Sequence, residues 1–120
     1  MKTYHNHRAE PYFTFLKNGQ KTIEGRVRRG KYQNVAAGDS IIVYDLEETE
    51  SISTRVKRVA TYLSFRKMLE TEDYKKLLPD ATSIDHSVDM YRRFYTPEQE
   101  AEFGVVAIEV EVIEPHHLLQ

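Results

Sequence analysis

Alternating apolar and polar positions predict four β-strands in this chain. The clearest alternation runs from Val106 to Ile113, with the period of two that places successive side chains on opposite faces of a strand. Similar runs bounded by turn residues predict the other strands, over 22–27, 40–44 and 51–62. In the longest run the alternation slips between Val56 and Val59, which indicates a β-bulge near Lys57–Arg58.

Apolar residues spaced by three and four positions predict helices between these strands. Their ranges are about 10–19, 64–78, 84–95 and 96–104. Ser64 is a suitable N-cap for the second helix, and Thr96 begins the fourth with Gln99 in the position that a capping box requires. Gly19 ends the first helix and Gly104 ends the fourth, as glycine often does.

The order of these elements favours an α+β fold. One helix precedes several strands and several helices precede the last strand, so helices and strands do not alternate as they do in a doubly wound sheet. Short strands with glycine-containing turns favour a small, strongly bent sheet or barrel with helices packed outside it. The length of 120 residues, without a repeat or a linker, predicts a single domain over residues 1–120.

Composition narrows the class of protein. The chain contains no cysteine, which excludes a disulfide scaffold, a thiolate metal site and a cysteine nucleophile, and which suits a reducing cytoplasm. No apolar run approaches 18 residues, and the first residues lack the apolar core of a signal peptide. We therefore expect a cytoplasmic protein that does not bind membranes.

The charges are segregated along the chain. The net charge of −2 argues against a protein that coats nucleic acid by bulk charge. Basic residues nevertheless concentrate in 21–31, 55–58 and 92–93, and acidic residues in 45–50 and 98–114. This distribution permits one positive face for an anionic ligand, or it reflects solvated surfaces alone. A third interpretation is an adaptor whose acidic stretch from Glu98 onward binds a protein partner.

The strand predicted over 22–27 carries the most distinctive chemistry. Lys21 and Gly25 share one face of it, and Glu24 and Arg26 share the other. A lysine that is desolvated beside a second cation loses its proton near neutral pH and then serves as a base or a nucleophile. The alternative is a surface lysine beside a Glu–Arg ion pair worth at most about 1 kcal/mol. Gly25 indicates a bulge or a close approach to the backbone.

Tyr62 and Ser64 lie at a predicted junction between a strand and a helix. Their hydroxyl groups are candidates to contact a ligand, and a helix N-terminus favours an anion; a helix cap and core packing are the alternative. No Gly-x-Ser-x-Gly sequence, P-loop or DNA-specific motif is present. His5 and His7 lack a third ligand at the spacing of a metal site, so we expect neither a metal nor another cofactor.

Aromatic and basic residues are interleaved in 91–95. Tyr91, Phe94 and Tyr95 have helical spacing, which is typical of core packing, and Arg92 and Arg93 lie between them. The same set suits single-stranded RNA, whose bases stack on aromatic rings while arginine binds phosphate. That function requires an exposed ring beside the basic residues.

Several motifs together resemble a known family. The most specific is Gly19-Gln20-Lys21-Thr22-Ile23-Glu24-Gly25-Arg26, followed by Ala37-Gly38-Asp39-Ser40-Ile41. Supporting motifs are Tyr62-Leu63-Ser64-Phe65 with Met68-Leu69, the helix end at Leu78-Pro79, and Gly104-Val105-Val106-Ala107-Ile108-Glu109. With these motifs the chain resembles the small stand-alone ASCH domains of the PUA-like superfamily, from about Thr3 to Ile113.

The resemblance implies a small β-barrel with peripheral helices around a cleft, and a function in binding RNA or nucleotides. It also implies enzymatic alternatives, since one bacterial branch removes the acetyl group from N4-acetylcytidine and another member is described as a ribonuclease. The amidohydrolase branch uses a lysine, a threonine and a glutamate. The lysine matches Lys21, but the threonine position is Glu24 here. No motif fixes the glutamate; Asp80 and Asp85 lie in its region, and its role is not transferred to either.

These observations predict an RNA- or nucleotide-binding protein with a basic cleft around Lys21, Glu24 and Arg26. In that cleft Arg26 would hold a phosphate or a base edge. Glu24 would accept from an exocyclic amine or act as a general base, and Lys21 would stabilise negative charge or carry a proton. The alternative is an amidohydrolase or a ribonuclease in which Lys21 and Glu24 are catalytic. The expected ligand contacts are Gly25, Arg26, Arg28, Arg29, Tyr62, Ser64, Arg92 and Tyr95. The oligomeric state stays open.

Overall fold

A computed structural model describes residues 1–118, with five strands, five α-helices and one short 3-10 helix over Gly30–Gln33. The strands are β1 (Thr3–His7), β2 (Ile23–Val27), β3 (Ser40–Tyr44), β4 (Glu50–Tyr62) and β5 (Val105–His117). The helices are α1 (Tyr12–Lys17), α2 (Phe65–Thr71), α3 (Tyr74–Leu77), α4 (Ile84–Arg92) and α5 (Pro97–Phe103). Within residues 1–118, no helix is both long and apolar enough to cross a bilayer.

The five strands form one curled sheet in the order β1-β3-β4-β5-β2. β1 is parallel to β3, and every other neighbouring pair is antiparallel. The register between β4 and β5 shifts between Val56 and Arg58, where a bulge was predicted, and also between Ser53 and Thr54. Such irregularities increase strand twist and bending. The result is a half-barrel with helices packed against it, which confirms the predicted α+β class.

The first half of strand β5 is buried on both faces, which places it between two cores. Val105 and Ala107 pack into a core with Phe65 and other residues of α2, α3 and α4. Val106 and Ile108 face the other way, into a core that α1 completes. A strand with apolar neighbours on both sides has one favourable register. This fixes the position of β2, which pairs with β5.

Side chains link β1 and β2, the two edge strands of the half-barrel. Asn6 on β1 donates through Nδ2 to the Tyr32 hydroxyl at 3.0 Å, and Arg26 on β2 donates to the same oxygen at 2.8 Å. Immediately after β1, Arg8 donates a hydrogen bond to Glu24 of β2. These contacts hold the end of β1 beside β2.

The helix predicted over 84–95 is shorter than expected, and this part of the prediction is wrong. It ends at Arg92. The backbone amides of Phe94 and Tyr95 both lie within hydrogen-bonding distance of the Tyr91 carbonyl, at 3.0 Å each. This tight turn leaves Phe94 and Tyr95 outside the helix.

Other elements also differ from the prediction. Strand β1 was not among the four predicted strands, and α1 covers Tyr12–Lys17 and not 10–19. The helix expected over 64–78 is divided into α2 and α3, because Glu72 has an extended backbone and Asp73 caps α3 through its side chain. The last strand continues beyond 106–113 to His117. Its final residues, His116 and His117, pair with the start of β4.

The predicted helix caps are confirmed. The Ser64 hydroxyl accepts from the Lys67 amide at 3.0 Å. Thr96 and Gln99 form a reciprocal capping box, with hydrogen bonds of 2.8 and 3.1 Å. Gly104 follows the last helix with a φ of 72°, a conformation that glycine adopts without steric strain.

Candidate functional site

A cleft of about 330 Å³ opens between β2 and the end of α4. The segment after β1 and the first residue of α1 complete its walls. Its charged lining residues are Arg8, Lys21, Glu24, Arg26 and Arg93. Its aromatic lining residues are Tyr12, Tyr91, Phe94 and Tyr95, besides His7. The lining thus combines four cationic side chains and one carboxylate with aromatic walls.

Glu24 lies among three of these cations. Its carboxylate accepts a hydrogen bond from Arg8 and lies 3.9 Å from Lys21 Nζ. Burial alone would raise the pKa of Glu24, but the positive charges of Arg8, Lys21 and Arg26 outweigh it and hold the pKa below its ordinary value. The carboxylate therefore stays ionised, and it can only accept hydrogen bonds.

Lys21 is buried behind Glu24 and is only 4% exposed. Its Nζ donates to the carbonyl oxygens of Ile23 at 2.9 Å and Leu77 at 2.5 Å. Burial lowers the pKa of Lys21 from 10.5 to about 8, against the opposing attraction of Glu24. At neutral pH the amine is therefore mostly protonated, and backbone carbonyls occupy two of its three donors. In this state Lys21 is an internal counter-charge for Glu24.

Tyr91 lies directly over Gly25 and leaves no space for a side chain at this position. A Cβ at this position would be 2.6 Å from the Tyr91 hydroxyl and 2.7 Å from Met68 Cε. The close approach predicted at Gly25 is confirmed, while the register of β2 with β5 is continuous and has no bulge. Burial raises the pKa of Tyr91 well above its ordinary value. Within residues 1–118 its buried hydroxyl has no hydrogen-bond partner.

Arg26 is held in place by Tyr32. Its guanidinium carbon lies 4.1 Å from the centre of the Tyr32 ring, and one of its nitrogens donates to the Tyr32 hydroxyl. A cation over an aromatic face is attracted by the ring's negative charge density. Asn6 fixes the tyrosine in turn. The guanidinium is thus oriented before any ligand arrives.

The mouth of the cleft has aromatic residues on both sides. Tyr12 donates to the Asp80 carboxylate at 3.1 Å, and burial together with Asp80 raises the pKa of Tyr12 to about 12. On the other side, Tyr95 stacks on Phe65 with 5.4 Å between ring centres. Phe94 lines the same side and is 77% exposed.

The cleft brings together half of the residues that the sequence selected: Lys21, Glu24, Gly25, Arg26 and Tyr95. The other five lie outside its lining: Arg28, Arg29, Tyr62, Ser64 and Arg92.

Arg28 and Arg29 follow β2 and are exposed to solvent. An Arg28 nitrogen lies 3.5 Å from the Gln33 carbonyl oxygen. The Arg29 guanidinium lies 5.7 Å from the centre of the Phe103 ring. Both positive charges thus remain accessible to a large anionic ligand beside the cleft.

The remaining three residues contact protein groups. The Tyr62 hydroxyl donates to the Glu72 carboxylate, and Ser64 caps α2. Arg92 forms an ion pair of 2.7 Å with Glu100.

Sequence reasoning did not select Arg8 or Tyr12 for the site. Arg8 is a single arginine between two predicted elements, with no spacing that links it to another residue. It reaches Glu24 because β1, which it follows, pairs in parallel with β3. This pairing joins segments that are distant in sequence. Tyr12 belonged to an apolar helical stripe, where core packing is the usual interpretation.

The side chains of His5 and His7 each contact another residue of the protein. His5 Nδ1 lies 3.1 Å from the Tyr44 hydroxyl, and His7 Nε2 lies 2.7 Å from Glu48. Residues 1–118 contain no group of three or more histidine or carboxylate side chains arranged to hold a metal ion.

Comparisons with known proteins identify solved structures with the same fold. The chain is 38% identical to hypothetical protein PH0355, with 94% of this chain and 100% of that chain covered and a TM-score of 0.82. It is 36% identical to protein PF0455 from Pyrococcus furiosus, with 93% and 98% covered and a TM-score of 0.76. ASCH from Zymomonas mobilis is 14% identical, with 95% and 72% covered and a TM-score of 0.65, and supports the fold alone.

The family model of the ASCH domain matches residues 8–114. The chain therefore belongs to the ASCH domain family, which is broadly associated with RNA binding. The resemblance noted in the sequence is thus confirmed. No curated protein is similar enough in sequence to count as a relative.

Proposed function

We propose that the cleft binds a single nucleobase, presented by RNA or by a nucleotide-like molecule, and that it prefers cytosine to uracil. The observation that carries this proposal is the ionised Glu24 carboxylate, held between Arg8 and Lys21 inside a cleft with tyrosine walls. Membership of a family associated with RNA binding supports the same class of ligand.

The charges of the cleft suit a base that presents an amine beside an acceptor. A carboxylate accepts from the exocyclic amine of cytosine. Arg8 and Arg26 carry N–H donors that suit the ring nitrogen and the carbonyl oxygen of the same base. Uracil presents a carbonyl oxygen in place of the amine, and Glu24 would repel it. The expected preference therefore follows from the ionised state of Glu24.

The size and the walls of the cleft support a ligand with one ring. Its volume of about 330 Å³ is at the small end of ligand pockets, which span roughly 300–1,000 Å³. Tyr95 lines the cleft and is half-buried, so part of its ring can pack against a flat base, as tyrosines do in proteins that recognise single-stranded RNA. Arg28 and Arg29 are proposed to contact phosphates of adjoining nucleotides.

The experiment is a calorimetric titration with cytidine and with uridine. The wild-type protein should bind cytidine at least tenfold more tightly than uridine, since a mismatched base edge changes affinity by about 1–3 kcal/mol. Glu24→Gln should reduce this ratio, because an amide both donates and accepts. Glu111→Gln removes an exposed carboxylate on β5 and serves as the matched control. Circular dichroism of each variant verifies folding.

Equal affinity for the two nucleosides would contradict the proposed role of Glu24, as would an unchanged ratio in a folded Glu24→Gln variant. Absence of binding to cytidine, adenosine and short RNA at millimolar concentration would contradict nucleobase binding altogether.

A second candidate is hydrolysis of a modified nucleoside such as N4-acetylcytidine. The observation in its favour is Lys21, whose pKa of about 8 beside Glu24 makes proton transfer accessible near neutral pH. In this reaction water attacks the amide carbonyl, the C–N bond breaks, and acetate and cytidine leave. A chromatographic assay of cytidine release tests it. Release by the wild type and not by Lys21→Met would support the enzyme, and no release at high protein concentration would exclude this substrate.

A further inference from the structure

We propose that Phe94 stacks a second nucleobase beside the one in the cleft, so that the protein binds a base within a single strand of RNA more tightly than a free nucleoside. The inference rests on the proposed function of the cleft. It adds the class of ligand: an oligonucleotide with at least one neighbouring base and the phosphate between them.

The turn after α4 presents the Phe94 ring at the mouth of the cleft. The ring is 77% exposed although it belongs to a large apolar residue. The turn itself is fixed, because the amides of residues 93–95 lie within hydrogen-bonding distance of the Met90 and Tyr91 carbonyls. Tyr95 on its other side stacks on Phe65. A rigid backbone therefore holds an aromatic side chain in solvent, where it can stack without prior rearrangement.

Arg93 supplies the charge that an adjoining phosphate requires. It lines the cleft next to Phe94 and is exposed. Within residues 1–118, Arg93 forms no ion pair, whereas its neighbour Arg92 is paired with Glu100 at 2.7 Å. The Arg93 guanidinium is next to the Phe94 ring and also lines the cleft. It is therefore placed to bind the phosphate that joins a base stacked on Phe94 to a base in the cleft. Arginine binds the phosphate, and stacking is insensitive to the identity of the neighbouring base.

Two other observations favour a nucleic acid over a peptide as the occupant. The lining is mainly cationic, with four basic side chains against one carboxylate, and Arg93 among them is exposed. At the turn after α4 the exposed apolar side chain is the Phe94 ring, whereas Tyr91 is buried and Tyr95 is half-buried, both stacked on Phe65. A peptide would need a longer apolar groove or an unpaired strand edge to gain affinity.

The test compares three probes by titration with the intact protein: cytidine, the RNA trimer UCU, and the same trimer with abasic flanking positions. The abasic trimer keeps the phosphates but has no neighbouring bases. We expect UCU to bind at least tenfold more tightly than the abasic trimer, because stacking on a ring contributes measurably for each base.

Variants of the turn separate stacking from charge. Phe94→Ala should reduce UCU affinity about tenfold, and it should reduce the affinity for cytidine and the abasic trimer much less. Phe94→Trp should equal or exceed wild-type affinity for UCU. Arg93→Gln should weaken both trimers more than it weakens cytidine, which carries no phosphate. Leu63→Ala removes another exposed apolar side chain, 88% exposed and outside the cleft lining, and should have no effect. Because Phe94 is exposed, its replacement should not disturb folding.

The outcomes distinguish this inference from the proposed function. If cytidine binds but UCU binds no more tightly than the abasic trimer, or Phe94→Ala binds UCU like the wild type, the stacking site is wrong and the cleft proposal stands. The ring would then be assigned to a protein partner. If neither cytidine nor UCU binds, the proposed function fails and the inference fails with it.

Discussion

Replacing Lys21 by methionine should remove a pH dependence that this buried amine gives to folding stability. In the folded protein, burial lowers the pKa of Lys21 from 10.5 to about 8, whereas the unfolded chain exposes the amine to water. Between these two values the unfolded state binds more protons than the folded state. Wild-type stability should therefore rise as the pH increases through this interval.

The magnitude follows from the two pKa values. Their difference corresponds to about 3 kcal/mol in the free energy of unfolding, of which about 2 kcal/mol is gained between pH 7 and about pH 9.5. Tyr12 and Tyr91 have raised pKa values and reduce stability at still higher pH, because the unfolded tyrosines ionise first. Both tyrosines are present in the wild type and the variant, so their effect cancels in the comparison.

Urea unfolding followed by far-UV circular dichroism at several pH values measures this effect. The free energy of unfolding of the wild type, minus that of Lys21→Met, should increase by about 2 kcal/mol from pH 7 to about pH 9.5. Lys57→Met, at an exposed position of β4, should follow the wild type in parallel. If the free energy of unfolding of Lys21→Met also changed with pH in parallel with the wild type, the reasoning would be refuted. Where the variant is too unstable, the ¹³Cε chemical shift of Lys21 in the wild type reports the same pKa.

Three further predictions concern packing and charge. Gly25→Ala should destabilise the protein by about 1–3 kcal/mol in urea unfolding, because its Cβ would meet the Tyr91 hydroxyl; unchanged stability would contradict the close approach. Glu100→Ala should lower the free energy of unfolding by about 1–3 kcal/mol, since it removes the acceptor of the Phe65 amide at 2.6 Å; Glu100→Gln should be milder. A double change of Arg28 and Arg29 to glutamine should reduce the slope of log affinity for single-stranded RNA against log salt by about 1.4, and an unchanged slope would exclude phosphate contacts there.

Most of the secondary structure follows from local sequence signals. The Thr96–Gln99 capping box, the Ser64 cap and the bulge before Arg58 depend on residues close together in the chain, and each occurs where the pattern predicts it. The end of α4 is different: the apolar spacing continues to Tyr95, but packing of Tyr95 on Phe65 accompanies a turn that the spacing does not encode.

The candidate site could be predicted only in part. Glu24 and Arg26 lie on β2 and Lys21 lies just before it, so the spacing of the three residues is visible in the sequence. Arg8 enters the site through the parallel pairing of β1 with β3, and Tyr91 through packing of α4 over Gly25. Both contacts join residues far apart in the chain. Residues such as Tyr62 and Ser64 have local roles that a sequence alone does not separate from ligand contact.

A ¹H–¹⁵N correlation spectrum titrated with UCU is the most direct test of the cleft as a nucleobase site. The account predicts saturable shifts of the amide signals of Gly25, Arg26 and Tyr91, with a weaker response to the trimer UUU because uracil lacks the amine that Glu24 accepts from. Shifts confined to Arg28 and Arg29, or equal responses to the two trimers, would contradict the account.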